Sequence, residues 1–112
     1  MFQYLNHNIL KMIHRFYFKM VDTSQTIYYD IELNTTIVCF ILNIKHKVRE
    51  NFNIDNNYAI DIVEAGQFDN INGRDAELAP ALEPSNNITI RQKYEHNYKN
   101  TAFYIRRIPR VI

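Results

Sequence analysis

Residues 26–51 read TIYYDIELNTTIVCFILNIKHKVREN, and the spacing of their apolar side chains changes halfway along. Apolar and polar residues alternate over residues 26–33, which predicts a β-strand with one buried face. From residue 37 the apolar residues recur with the spacing of one face of an α-helix, at Ile37, Phe40, Ile41, Ile44 and Val48. Thr36 is a candidate N-cap because its hydroxyl can accept a hydrogen bond from the first helical turn. The stretch therefore predicts a strand followed directly by an amphipathic helix.

Further strands are predicted on both sides of this stretch. Residues 16–21 are rich in aromatic side chains and residues 22–25 have turn chemistry, which predicts a β-hairpin with the strand described above. After the helix, residues 58–66 predict a third strand, and a long connection leads to a fourth at residues 88–94. Residues 101–108 form another apolar run that could pair with this fourth strand.

The order hairpin, helix, strand, long connection and strand resembles ubiquitin and its β-grasp relatives over residues 16–94. Five short local features carry the resemblance besides this order. They are Tyr17-Phe18-Lys19-Met20-Val21 at the first strand, Thr26-Ile27 at the second, Thr36-Ile37 at the start of the helix, Ala65-Gly66 after the third strand and Ile88-Thr89-Ile90 at the last strand. The resemblance implies an α+β, ubiquitin-like β-grasp fold, with a mixed sheet of four or five strands packed on one main helix.

Two extensions flank the ubiquitin-like domain, which the resemblance places at residues 15–94. The N-terminal extension is residues 1–14, and the basic and aromatic C-terminal extension, residues 95–112, is expected to add a strand. Both are rich in large apolar side chains, and an exposed apolar patch normally marks an interface. We therefore expect at least one end to pack against another chain, by adding a strand or by laying an apolar face into a groove. The alternative is that residues 101–108 complete the domain's own sheet beside residues 88–94.

By the same resemblance, the recognition patch of ubiquitin would fall near Val21, Val63 and Arg91. An arginine at the third position interrupts an apolar patch, so we do not expect ordinary ubiquitin receptors to bind. Ubiquitin-like modifiers are joined to lysine through a terminal Gly-Gly, whereas no glycine follows Gly73 here. The resemblance therefore implies a protein-binding module that is not conjugated.

Charge is distributed unevenly along the chain, although the formal net charge is +1. Residues 53–90 carry a net charge of −6 and residues 91–112 a net charge of +5. Either these regions face each other within the fold or the basic segment is available to a partner. The candidate binding residues of that segment are Phe103, Tyr104, Arg106 and Arg107. They suit a protein partner or, as the alternative, a nucleic acid, because basic residues hold phosphates and aromatic rings stack on bases.

Residues with catalytic or metal-binding chemistry are few and scattered. Cys39 lies among apolar residues on the predicted helix, which indicates a partly buried, inert thiol. The histidines lack zinc-ligand spacing, residues 69–75 lack the carboxylate that begins a calcium loop, and the two glycines make no phosphate-binding loop. We therefore expect no enzymatic activity, no metal, no cofactor and no small-molecule substrate.

Signals of location and partner are compositional. Lys11, Arg15 and Lys19 interrupt the apolar N-terminal region, so no membrane span is expected. A single cysteine, Cys39, favours a reducing location, either cytoplasmic or virion-associated. Heavy use of Asn, Ile, Tyr and Lys is the bias of AT-rich genomes, including many amoebal and giant-virus genomes. The sequence therefore predicts a non-enzymatic protein–protein interaction module, for example a structural or assembly component such as a minor virion protein.

Overall fold

The computed structural model describes residues 12–66 and 78–110. The elements in chain order are β1 (Ile13–Met20), β2 (Thr26–Glu32), α1 (Ile37–Asn51), β3 (Tyr58–Gly66), α2 (Ile90–Tyr94), a 3₁₀ helix (Glu95–Asn100) and β4 (Ala102–Pro109). The strands form one mixed, four-stranded sheet in the order β2-β1-β4-β3. This part of the chain is therefore α+β, as the sequence predicts. The prediction for residues 1–14 falls almost wholly outside the described residues.

The hairpin is confirmed, and its register is regular. β1 and β2 pair antiparallel with Tyr17 opposite Tyr28, and the Met20 N–H closes the turn by donating to the Gln25 carbonyl over 2.8 Å. Side chains of successive strand residues point to opposite faces. Phe16 therefore points away from Tyr17 and is fully buried.

Helix α1 is also confirmed, and the predicted apolar face is the buried one. The buried residues are Ile37, Phe40, Ile41, Ile44 and Val48. Thr36 is the N-cap, since its hydroxyl accepts a hydrogen bond from the Cys39 N–H over 3.4 Å. Cys39 itself is exposed, so the prediction of a partly buried thiol is wrong. It lies on the side of the helix away from the apolar face, which periodicity alone indicates.

Residues 88–94, predicted as a strand, contain the short helix α2 instead. Thr89 and Gln92 form a capping box: the Thr89 hydroxyl accepts from the Gln92 N–H over 3.2 Å, and the Gln92 side chain accepts from the Thr89 N–H over 2.9 Å. This reciprocal pair stabilises a helical start and overrides the short apolar alternation around it. Ile90 and Tyr94, one helical turn apart, both face the core. The strand prediction for this segment is therefore wrong.

The strand predicted at residues 101–108 is β4, which lies in the interior of the sheet. It runs parallel to β1, with Phe18 beside Phe103, and antiparallel to β3, with Ile62 beside Ile105. Its first four residues are all buried, as is typical of a strand with neighbours on both sides. The C-terminal segment thus adds a strand to the domain's own sheet, but between β1 and β3 rather than beside residues 88–94.

The main core lies between α1 and one side of the sheet, called here the front face. Four fully buried phenylalanine rings form its centre: Phe16, Phe18, Phe40 and Phe103. Contacting pairs of these rings have centroids 5.2–6.1 Å apart. The opposite side of the sheet, called here the back face, is not covered by either described α-helix. Neither of these helices is long and apolar enough to cross a bilayer.

Candidate functional site

The back face of the sheet has two halves that differ in what covers them. On the half formed by β3 and β4, Val63, Ala65 and Tyr104 are buried and pack with the partly buried Val21 and Ala79. Ala79 belongs to the segment that follows residue 77, and this segment lies across the two strands. The chain's own loop therefore covers part of the back face of β3 and β4, whereas Ile108 near the end of β4 stays 38% exposed.

Hydrogen bonds fix this loop in place. The Leu82 N–H donates to the Ile62 carbonyl over 2.7 Å, so the loop is attached to the outer side of β3. Arg106 of β4 donates through Nη1 to the Ala79 carbonyl over 2.6 Å and through Nη2 to the Asp61 carboxylate over 2.9 Å. One guanidinium thus joins β4, β3 and the loop.

Within residues 12–66 and 78–110, no segment packs over the half formed by β1 and β2. Tyr17 and Tyr28 are directly opposed across the two strands, with ring centroids 6.0 Å apart, and their exposed fractions are 47% and 50%. Ile13, further along β1, is 65% exposed. The hairpin surface is the name used here for five residues: Ile13, Arg15, Tyr17, Tyr28 and Asp30. Two neighbouring half-exposed aromatic rings are the part of this surface with the most area to bury against a partner.

An ion pair organises the polar part of the hairpin surface. Arg15 donates to both carboxylate oxygens of Asp30, from Nε over 2.9 Å and from Nη2 over 3.2 Å. Its guanidinium also lies over the Tyr28 ring, 4.0 Å from the ring centroid. These bonds hold the pKa of the Asp30 carboxyl below its usual value and raise the pKa of Arg15. Such an exposed pair adds little to stability, but it holds the guanidinium over the Tyr28 ring.

The residues that the ubiquitin resemblance singled out do not form one patch. Val21 and Val63 lie in the same back-face cluster, but Val63 is buried there. Arg91 is an exposed residue of α2, and its N–H donates to the Leu33 carbonyl just after β2. Leu33 lies beside the start of β1, whereas Val21 follows the end of β1. The eight residues of β1 span about 26 Å, so the full length of this strand separates Arg91 from Val21. The predicted recognition patch is therefore not assembled.

The candidate binding residues of the C-terminal segment are mostly engaged within the chain. Phe103 and Tyr104 are buried, one on each face of the sheet. Arg106 pairs with Asp61 as described, and Arg107 pairs with Asp22, donating from Nε over 2.8 Å. The acidic middle and the basic C-terminal region thus meet in the Asp61–Arg106 pair. Phe103, Tyr104 and Arg106 therefore support the fold, whereas Arg107 is exposed and paired with Asp22.

Tyr94 makes a partly buried polar contact, and a tyrosine in such a contact can act as an acid or a base. The Tyr94 hydroxyl donates to the Glu64 carboxylate over 2.8 Å and so links α2 to β3. Burial, followed by the hydrogen bond to Glu64, raises the pKa of Tyr94 far above its usual value. The phenol therefore stays protonated at physiological pH, and its hydrogen bond holds α2 against β3. Among residues 12–66 and 78–110, no group of three or more metal-ligating side chains is close enough to hold a metal ion.

The sequence carries a signal for the hairpin surface in the alternation of its two strands. Tyr17 stands between Phe16 and Phe18, and Tyr28 stands beside Tyr29, so one aromatic residue of each run must point away from the core. A large aromatic side chain at an outward-facing strand position indicates an exposed contact surface. Comparison with known proteins adds no constraint: no family model matches the chain, and no curated protein matches it at a significant level.

Proposed function

We propose that this chain is a ubiquitin-like protein-interaction module that binds a partner protein through the hairpin surface. The observation that carries the proposal is the pair Tyr17 and Tyr28, which lie side by side and half exposed on the half of the back face that no described segment covers. Such a module acts by holding its partner in an assembly and needs no catalytic group.

The fold supports the first part of the proposal. A hairpin, one main helix and a mixed four-stranded sheet packed on that helix are compatible with a β-grasp fold. The parallel pairing of β1 with β4 brings the two ends of the described chain into the centre of the sheet. The hairpin is therefore anchored on a rigid scaffold, which keeps its outer surface in one shape for a partner.

The chemistry of the hairpin surface supports the second part. Tyrosine and arginine are enriched where protein interfaces have their largest binding energies, because both combine a flat apolar area with hydrogen-bonding groups. Arg15 is already held by Asp30 and by the Tyr28 ring, so little side-chain freedom is lost on binding. Because Arg15 and Asp30 cancel in charge, this surface favours a protein over the phosphate backbone of a nucleic acid.

The proposal can be tested by comparing what the full-length chain retains from its native cells with what its variants retain. Tyr17→Glu places a charge in the centre of the hairpin surface and should abolish retention of the partner. Leu42→Glu is the matched control, because Leu42 is 61% exposed on the outer side of α1. We expect quantitative mass spectrometry to find at least one protein retained by the wild type and by Leu42→Glu but lost, by about tenfold or more, with Tyr17→Glu.

Two results would contradict the proposal. One is a retained partner that Tyr17→Glu leaves unchanged, which would place the interface elsewhere on the molecule. The other is a set of retained proteins that is the same for the wild type and for an unrelated bait of similar charge. Circular dichroism of both variants would establish that they keep the wild-type fold.

A further inference from the structure

Strand β2 is the outer strand of the sheet on the hairpin side, and its free edge can be identified residue by residue. In an antiparallel pair, hydrogen-bonded and non-hydrogen-bonded residues alternate. The Leu33 N–H donates to the Met12 carbonyl, and the Met20 N–H donates to the Gln25 carbonyl, both over 2.8 Å. Odd-numbered residues of this segment therefore bond to β1. The backbone N–H and C=O groups of the even-numbered residues, Thr26, Tyr28 and Asp30, point away from the sheet.

The two edges of the sheet differ in what occupies them. On the β3 edge, the Leu82 N–H is bonded to the Ile62 carbonyl. On the β2 edge, the outward groups of Thr26, Tyr28 and Asp30 have no backbone partner within residues 12–66 and 78–110. An open strand edge of this length recruits another strand, and natural proteins usually cover or interrupt such edges.

We infer that the β2 edge pairs with the β2 edge of a second copy of this chain, antiparallel, with the two-fold axis passing beside Tyr29. In this register Tyr28 is opposite Asp30 of the second copy, and Thr26 is opposite Glu32 of the second copy. The four strands of each copy then join into one continuous sheet. A two-fold, antiparallel pairing leaves neither β2 edge open, so the assembly closes as a dimer.

Charge and strand length together favour this register over its neighbours. The two carboxylates of β2, Asp30 and Glu32, each face an uncharged residue when the axis passes Tyr29. An axis beside Asp30 would place that carboxylate opposite its own copy, which is unfavourable for directly opposed residues. An axis beside Tyr28 also avoids like charges, but it pairs only residues 26–30. Glu32, whose carbonyl already accepts from the Thr35 N–H over 3.1 Å, then lies outside the pairing with its own N–H unused. The register about Tyr29 uses the whole strand.

The apolar side chains agree with the same register. On the front face it sets Ile27 opposite Ile31 of the second copy and Tyr29 opposite its own copy. Ile27 and Tyr29 are only partly buried and pack at the margin of the core, so pairing would extend the core across the two-fold axis. The interface is a single strand from each copy, which is small, so a reversible, concentration-dependent dimer is expected.

This inference goes beyond the proposed binding of a partner, because it uses the backbone edge of β2 rather than the outer side chains of the hairpin. Sedimentation of the full-length chain over a wide concentration range is the test. Tyr28→Pro removes an outward N–H at the centre of the pairing without removing a bond between β1 and β2. Tyr28→Thr is the matched control, since it removes the same ring, keeps the N–H and introduces a β-branched side chain that suits a strand.

We expect the wild type, Tyr28→Thr and Tyr17→Glu to dimerise with dissociation constants within about threefold of one another, and Tyr28→Pro to weaken dimerisation by about tenfold or more. A wild-type monomer at every concentration would overturn the inference. So would a dimer that Tyr28→Pro leaves intact, or one that Tyr28→Thr weakens as much as the proline does.

A second measurement covers the case in which Tyr28→Pro does not fold. Amide hydrogen exchange of the wild type at high and low concentration should show slower exchange in the dimer at Tyr28 and Asp30, with no change at the amides of β3. Equal exchange at both concentrations would overturn the inference. Either outcome is independent of the proposed function, which depends on the partner lost with Tyr17→Glu.

Discussion

The two halves of the back face contain the same chemistry in different surroundings. Each half has a tyrosine and an arginine–aspartate pair joining neighbouring strands: Tyr17 with Arg15 and Asp30, and Tyr104 with Arg106 and Asp61. The shortest N–O distance is 2.9 Å in both pairs. The side-chain exposed fractions, however, are 48% and 50% in the first pair and 15% and 25% in the second. Residue types alone therefore do not separate a contact surface from a structural one; the loop that covers β3 and β4 does.

The largest difference is expected for the two tyrosines. Tyr104→Ala removes a buried ring beside Val63 and should lower the free energy of unfolding by about 3–5 kcal/mol. Tyr17→Ala removes only a cross-strand contact and should cost no more than about 1 kcal/mol. Urea unfolding followed by circular dichroism measures both. Equal losses in the free energy of unfolding would show that the loop over β3 and β4 does not make the two halves different.

A smaller difference is expected for the two carboxylates. Asp61→Ala removes the partner of the half-buried Arg106 guanidinium and should cost about 1–3 kcal/mol. Asp30→Ala removes the exposed partner of Arg15 and should leave the midpoint of urea unfolding unchanged. Asp30→Ala should instead weaken partner binding, because Arg15 is then no longer held over the Tyr28 ring. A marked loss of stability in Asp30→Ala would contradict this division of roles.

The smallest effect concerns pH. The hydrogen bonds from Arg15 lower the pKa of Asp30 in the folded chain, so the pair's contribution to stability is complete above the carboxyl's unfolded pKa and is lost as pH falls through the folded value. NMR titration should therefore give Asp30 a midpoint below the ordinary 3.8, and Arg15→Ala should raise it toward that value. A midpoint that Arg15→Ala leaves unchanged would mean that the pair is not formed in solution.

The elements predicted correctly from sequence are those whose signals are local. The hairpin is predicted by alternation around a polar turn. Helix α1 is predicted by apolar residues at helical spacing along its 15 residues and by Thr36 as its N-cap. The strand predicted at residues 88–94 is wrong because the alternation of Ile88-Thr89-Ile90 is too short to decide between strand and helix. The capping box of Thr89 and Gln92 favours the helix. A box with Thr and Gln three residues apart is a readable signal for a helical start.

Long-range pairing explains what local patterns could not supply. β4 pairs in parallel with β1, which lies more than 80 residues earlier in the chain, and no short motif encodes that contact. Because Ala102, Phe103, Tyr104 and Ile105 are all buried, β4 also lacks the alternation that marks a half-exposed strand. Phe103 and Tyr104 consequently resembled a free aromatic surface in the sequence. Alternation predicts that Tyr17 and Tyr28 point away from the core. It does not predict that the described loop packs on β3 and β4 instead of on these two rings.

Site-specific photo-crosslinking tests the binding role of the hairpin surface most directly. A photoreactive phenylalanine analogue at Tyr17 keeps an aromatic ring at the centre of the surface, and the same residue at Leu42 reports on the outer side of α1. After irradiation in native cells, we expect a covalent adduct with a partner protein from position 17 and none with that protein from position 42. Adducts from position 42 alone, or none from position 17 while the partner still co-purifies, would contradict the assignment of the hairpin surface as the binding site.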